Sequence, residues 1–196
     1  MQLYGIGDLH LSLGVPEKPM DIFHGWENYM QLLEQHWRAM VQPEDTVVLA
    51  GDLSWGMTLP QAKADFAFLE TLPGQKIILK GNHDYWWNSM KKMQQFFADN
   101  GFDSLHILHN NHYAFQQYGI CGTRGWVSIN GETADAKVLA REVQRLEVSI
   151  QSALKEQLTP IVFLHYPPIY GNSYNYEILE VLHRYAITEC YYGHIH

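Results

Sequence analysis

KIILKGNHD, residues 76–84, joins two unlike kinds of sequence. The run 76–79 is short, largely apolar and carries two β-branched residues, which suits a strand buried on both faces. It gives way at Gly81 to Asn82, His83 and Asp84, each able to bind a metal ion or a proton. A strand that merely ends at a surface has no structural need of that trio. Two questions follow: whether other strands end in the same way, and whether the residues they deliver could meet.

They do end in the same way. The strand-like run 3–6 is followed by Asp8 and His10, and TVVLA (46–50) by Asp52. PIVFL (160–164) is followed by His165, and ECYY (189–192) by His194 and His196. Between these runs lie amphipathic helical patterns at 26–41, 59–72, about 89–100 and about 135–157, with a short helix before residue 189. Thr58 and Gln61 are spaced as a capping box for the second. Leu139, Val143, Leu146, Ile150 and Leu154 give the fourth a single apolar face. Further strand-like pieces lie near His106, Tyr113 and Ile120. Such alternation predicts α/β layers, in which ligands bind beyond the carboxyl ends of the strands.

The 196 residues suit one domain, 1–196, and contain no repeat, low-complexity tract or linker. Hydrophobic residues make up 46% and charged ones 17%, a globular balance. No apolar run approaches the roughly 20 residues of a membrane span. The start, MQLYGIGDLH, has neither a basic region nor a cleavage site, so a cytoplasmic setting is expected. Cys121 and Cys190 form no metal-type pair and read as reduced, buried thiols. With 13 basic and 21 acidic residues the formal charge is 13 − 21 = −8. That argues against nucleic acid and anionic lipid as partners, though not against an anionic substrate, because bound metal reverses the local field. Nothing in the sequence specifies an oligomeric state.

Taken in order, the polar segments read GDLH (7–10), GDLS (51–54), GNHD (81–84), LHYPP (164–168) and GHIH (193–196). This set resembles the calcineurin-like metallophosphoesterase family, in its bacterial phosphohydrolase form, whose motifs are D-x-H, G-D, G-N-H-[DE], H and G-H-x-H. One such block is a weak signal; five in the right order over residues 8–196 are a strong one. The resemblance implies a four-layer α/β/β/α sandwich of two mixed sheets flanked by helices, with a dinuclear site where the loops meet. By motif position the first metal would take Asp8, His10, Asp52 and His196, and the second Asp52, Asn82, His165 and His194, with Asp52 shared. Mn, Fe and Zn are the family's usual ions, and imidazole plus carboxylate without thiolate suits them. The resemblance further implies strands beyond G-H-x-H. A chain ending at His196 is then either a fragment or a domain with a bare C-terminal edge, and a ligand on a fraying end would hold metal weakly.

The expected function is hydrolysis of a small phosphate ester, mono- or diester, by hydroxide held on two divalent ions. Two such ions, two aspartates and one hydroxide sum to about +1, enough to attract a phosphate inside an acidic protein. His83 would protonate the leaving oxygen, with Asp84 orienting its imidazole. The competing readings are a substrate-binding role for His83 and a helix cap for Asp84. Arg124, between two glycines in CGTRGW, would grip substrate phosphate bidentately, or is a plain surface arginine. Trp55, Trp86, Trp87 and Trp126 would line a pocket or, by preference, pack loops onto the sheet. Tyr170, Tyr174 and Tyr176 are lid candidates. Histidines 24, 36, 106, 109, 112 and 183 match no motif and read as ordinary residues. A non-catalytic scaffold for a protein partner and a nuclease are the rival functions; the intact Asn82-His83-Asp84 weighs against the first, and the lack of a basic stripe against the second.

Overall fold

The computed structural model describes residues 1–126 and 133–195. Its first half runs β1 (Leu3–Ile6), α1 (Tyr29–Met40), β2 (Thr46–Leu49), α2 (Leu59–Glu70), β3 (Gln75–Ile78), α3 (Met90–Asn100) and β4 (Leu105–Ile107). The second half runs β5 (Tyr113–Phe115), β6 (Tyr118–Thr123), α4 (Thr133–Lys155), β7 (Thr159–Leu164), β8 (Ile169–Tyr170), β9 (Ser173–Tyr174), α5 (Tyr176–Arg184) and β10 (Cys190–Tyr192). β1-β2-β3-β4 form a wholly parallel sheet. β10-β7-β6-β5 form a mixed one, parallel except for β5 against β6. β8 and β9 make an exposed hairpin of their own.

Period-two alternation explains the layers. In β2 and the residue after it, Val47 and Leu49 pack into a core shared with α1, α2 and α3, whereas Val48 and Ala50 face the other way. In β7, Ile161 and Phe163 meet Val48 and Ala50 between the sheets, and Val162 and Leu164 turn towards α4 and α5. Both faces of both central strands are therefore covered, which is why TVVLA and PIVFL are apolar throughout. The result is the expected α/β/β/α stack, with one sheet mixed and the other wholly parallel, because a helical crossover joins each pair of neighbouring strands in β1-β2-β3-β4.

Local chemistry sets the helix ends. Thr58 Oγ1 accepts from Gln61 N at 3.4 Å, while Gln61 Oε1 reaches back to Met57 N at 2.9 Å, one residue beyond the usual capping box. Ser89 caps α3, and Gly101, at φ 68°, closes it. α1 begins three residues later than the apolar pattern suggests, because Asn28 adopts φ 57° ahead of Tyr29. In α4, Leu146 and Ile150 are buried as expected, but Leu154 is 44% exposed and Ala153 takes the inward position.

Asp65 in α2 ties this frame to the strand ends. Its carboxylate accepts from Ser54 Oγ at 2.5 Å and from Leu13 N at 2.8 Å, so the loops after β1 and β2 hang from one buried acid. Burial pushes that carboxyl up to about 6, with the two hydrogen bonds opposing. A folded-state value above the unfolded one means that the folded chain holds the proton more tightly. This group's stabilising contribution is thus complete below about pH 4 and lost as pH rises through 6. Asp65→Asn should flatten the stability difference across pH 4–6 by up to about 3 kcal/mol relative to wild type. Urea unfolding of both proteins across that range reads the effect; parallel curves would contradict it.

Candidate metal centre

Four of the residues expected at the centre carry a backbone that side chains normally avoid. Asp8 has φ 58°, His10 46°, Asp52 52° and His194 72°. Left-handed conformations cost about 1 kcal/mol or more each for residues other than glycine and cluster where function demands a particular side-chain aim. Here they turn side chains from the ends of β1, β2 and β10 inward to one point. Potential ligand atoms of Asp8, His10 and Asp52 lie within 4.8 Å of one another, as do those of Asp52, His165 and His194. Ligand bonds of about 2.1 Å to one ion limit the distance between two ligand atoms to little more than 4 Å, so modest closure would make each group a coordination shell. Asp52 belongs to both groups. His196 lies outside the described residues.

The carboxylate of Asp52 divides its two oxygens. Oδ1 accepts the backbone N–H of His83 at 2.7 Å. Oδ2 faces His10 Nε2 at 3.9 Å on one side and His165 Nε2 at 3.6 Å on the other. His165 is fully buried, and its Nδ1 lies 2.9 Å from the Ala50 carbonyl, which fixes the proton on Nδ1. Its Nε2 lone pair then points at Asn82 Oδ1, 2.6 Å away, and at Asp52 Oδ2. Three acceptors converging with no proton between them is an arrangement that a cation resolves. Burial also pushes the His165 imidazole down to about 4, so it stays neutral and able to ligate at pH 7. His194 is anchored by its backbone N–H, which donates to Asp8 Oδ2 at 2.7 Å.

Two glycines let the loops come this close. A Cβ on Gly81 would stand 2.1 Å from both the backbone N and Oδ1 of Asp52. A Cβ on Gly51, whose φ is 91°, would meet His165 Nδ1 at 2.6 Å. The glycine of each G-D and G-N-H-D block is therefore a packing requirement of the centre.

Asp84 departs from its expected role. Its carboxylate, 1% exposed, makes no bond to the His83 ring and does not cap α3, whose cap is Ser89. Instead Oδ2 accepts from Asp52 N and Gly81 N at 2.9 and 2.7 Å, and Oδ1 from Leu53 N and Trp86 Nε1 at 2.9 Å and Ser54 N at 3.4 Å. It pins the GDLS loop to the GNHD turn. The reason is geometric: the backbone amides of both loops point at it, while the His83 ring turns away. Burial, chiefly, pushes the carboxyl up to about 6, the amides opposing, which leaves it ionised at neutral pH.

The His83 imidazole is placed instead by rings. Trp55 lies 4.7 Å from it, His10 5.8 Å and Tyr85 6.1 Å. Its Nδ1 is buried without a hydrogen-bond partner among the described residues. Trp55 also stacks on His10 at 5.1 Å, so it walls the centre, whereas Trp86 is buried against Phe66 in the core. Arg124 makes no ion pair with the Asp/His group among the described residues. Its partner is Glu142, with Nη2 at 3.6 Å. Tyr170 and Tyr174 lie on the exposed β8–β9 hairpin and Tyr176 opens α5. Cys121 and Cys190 are free thiols that burial pushes up to about 12.

A family model described as Calcineurin-like phosphoesterase matches residues 1–196. The chain belongs to the calcineurin-like phosphoesterase family. It is accordingly a metal-dependent hydrolase acting on phosphoester bonds. No curated protein matches it. Among solved structures it is similar to phosphopantetheinyl hydrolase from Mycobacterium tuberculosis, at 12% identity and TM-score 0.51 over 99% of this chain and 82% of that one. It is also similar to AQ665 from Aquifex aeolicus, a protein of unknown function, at 19% identity and TM-score 0.47 over 96% and 87%. The first of these likenesses supports the fold. No helix among the described residues is long and apolar enough to cross a membrane.

Proposed function

We propose that this calcineurin-like phosphoesterase hydrolyses a small phosphate ester at a pair of divalent cations that share Asp52. The observation that carries this reading is the overlap of two ligand groups at a single carboxylate oxygen, Asp52 Oδ2. One cation would take Asp8, His10, Asp52 and, by motif position, His196. The other would take Asp52, Asn82, His165 and His194. Nitrogen and oxygen donors without thiolate fit Mn, Fe or Zn. When bound, such a pair supplies a nucleophile from water near neutral pH and an electrostatic clamp for the phosphoryl oxygens.

The chain's own residues do the rest. Ala50 holds His165 in the ligating tautomer, Asp84 fixes the spacing of the two loops, and Trp55 seats the His83 ring beside His10. His83 is the proton donor to the leaving oxygen in this reading. His83→Ala should therefore slow hydrolysis of alkyl phosphates by about 10²–10⁴-fold, but that of p-nitrophenyl phosphate far less, since nitrophenolate leaves without a proton. Equal losses on both esters would remove His83 from the acid role. The reading as a whole is tested with a panel of monoesters, diesters and pyrophosphates in Mn²⁺. Turnover abolished by chelation and restored by metal is expected, and stoichiometric metal without turnover of any ester would favour a binding scaffold.

A further inference from the structure

Beside the Asp/His group, the ends of β3 and β6 and the body of α4 enclose a polar cavity of about 150 Å³. Its wall carries three cations, Lys80, Arg124 and Arg145, and one acid, Glu142. Glu142 is buried, accepts from Thr123 Oγ1 and Arg145 Nη1 at 2.5 Å each, and has Arg124 Nη2 at 3.6 Å. One carboxylate is thus shared by two of the three cations. The formal sum, 3 − 1 = +2, stands in a chain of net charge −8. Burial, then Arg145, hold the His109 imidazole in the same wall below its ordinary value, so it adds no charge.

Arg124 is held in place with a donor to spare. Its guanidinium carbon sits 4.8 Å from the centroid of the Trp126 ring, and its Nε is buried with no hydrogen-bond partner among the described residues. A buried charged donor without an acceptor is costly, and a fork of guanidinium donors beside an ammonium is what phosphate and carboxylate recognition uses.

The cavity also lies within one small molecule's length of the metal centre. Lys80 precedes Asn82 by two residues, about 7 Å along an extended chain. The Arg124 carbonyl accepts the N–H groups of His165 and Tyr166 at 3.2 and 2.9 Å. Cavity and centre therefore share a backbone wall.

We propose that this cavity binds a second anionic group, phosphate or carboxylate, borne by the same molecule whose phosphoester is hydrolysed at Asp52. This rests on the phosphoesterase reading and names its substrate class: small esters with two separated anionic groups.

The test compares alkanediol bisphosphates of graded length with p-nitrophenyl phosphate. Wild type should prefer a bisphosphate of one length by kcat/KM, and Lys80→Gln and Arg145→Gln should each lower that preference at least about tenfold, the value of one charge-assisted hydrogen bond. No preference in wild type, or a ratio unmoved by both variants, overturns the proposal. If the variants only relieve inhibition by inorganic phosphate, the cavity binds free anion and the substrate claim fails. If wild type hydrolyses no ester, the phosphoesterase reading falls by itself. Calorimetric titration of an alkane bisphosphonate into metal-loaded protein then still decides: about tenfold weaker binding in both variants supports the cavity, and an unchanged Kd overturns it.

Discussion

Asp52→Asn should lower turnover by about 10³-fold or more, at least the loss that follows removal of one preorganised charge-stabilising donor, while the chain stays folded. The amide keeps an oxygen where Oδ1 accepts the His83 N–H. It replaces Oδ2, the atom between His10 and His165, with an NH₂ group that can donate to either imidazole. Packing and hydrogen bonding survive, but the anionic oxygen proposed to be shared by two cations does not, and an amide nitrogen cannot take its place on a cation. Metal content should fall along with turnover, whereas the unfolding midpoint of the metal-free protein should barely move. Turnover and metal content like those of wild type would remove Asp52 from the centre.

Asp84→Asn should instead be the most destabilising single change at the site, costing about 3–5 kcal/mol, because it breaks a buried, charged hydrogen-bonded hub. Four backbone amides and the Trp86 indole converge on that carboxylate. An amide in its place turns one acceptor oxygen into a donor facing donors. The loss is a large share of the roughly 5–15 kcal/mol of a typical domain, so both stability and turnover should drop. If the variant is too unstable to purify, hydrogen exchange on the wild type reads the same bonds: the amides of Asp52, Leu53 and Gly81 should be among the slow ones. Stability within about 0.5 kcal/mol of wild type, or fast exchange at those amides, would contradict this and restore Asp84 to a purely catalytic role.

That reversal shows where the sequence was legible and where it was not. The strand ends were readable because TVVLA and PIVFL are apolar on both faces and each hands over to a lone carboxylate or imidazole. The meeting of Asp8 and Asp52 follows from placing β1 and β2 side by side in one parallel sheet, whereas His165 reaches them from β7 of the facing sheet. Asp84 was misread because adjacency to His83 suggested a partnership. Its real partners, the amides of Asp52, Leu53 and Ser54, lie about thirty positions away and carry no side-chain signature. The left-handed backbones of Asp8, His10, Asp52 and His194 were likewise invisible: Asp and His enter that region more readily than most side chains, but residue type alone does not say where. Arg124 was singled out for its setting between glycines. Its companions Lys80, His109 and Arg145 come from three further segments that only the fold assembles, and His109 had looked ordinary.

Crystals grown with excess Mn²⁺ and measured for anomalous scattering offer the most direct check. Two peaks roughly 3.5–4 Å apart, one on each side of Asp52 Oδ2, are expected from the overlapping ligand groups. A single peak, or density away from Asp52, would contradict a paired centre.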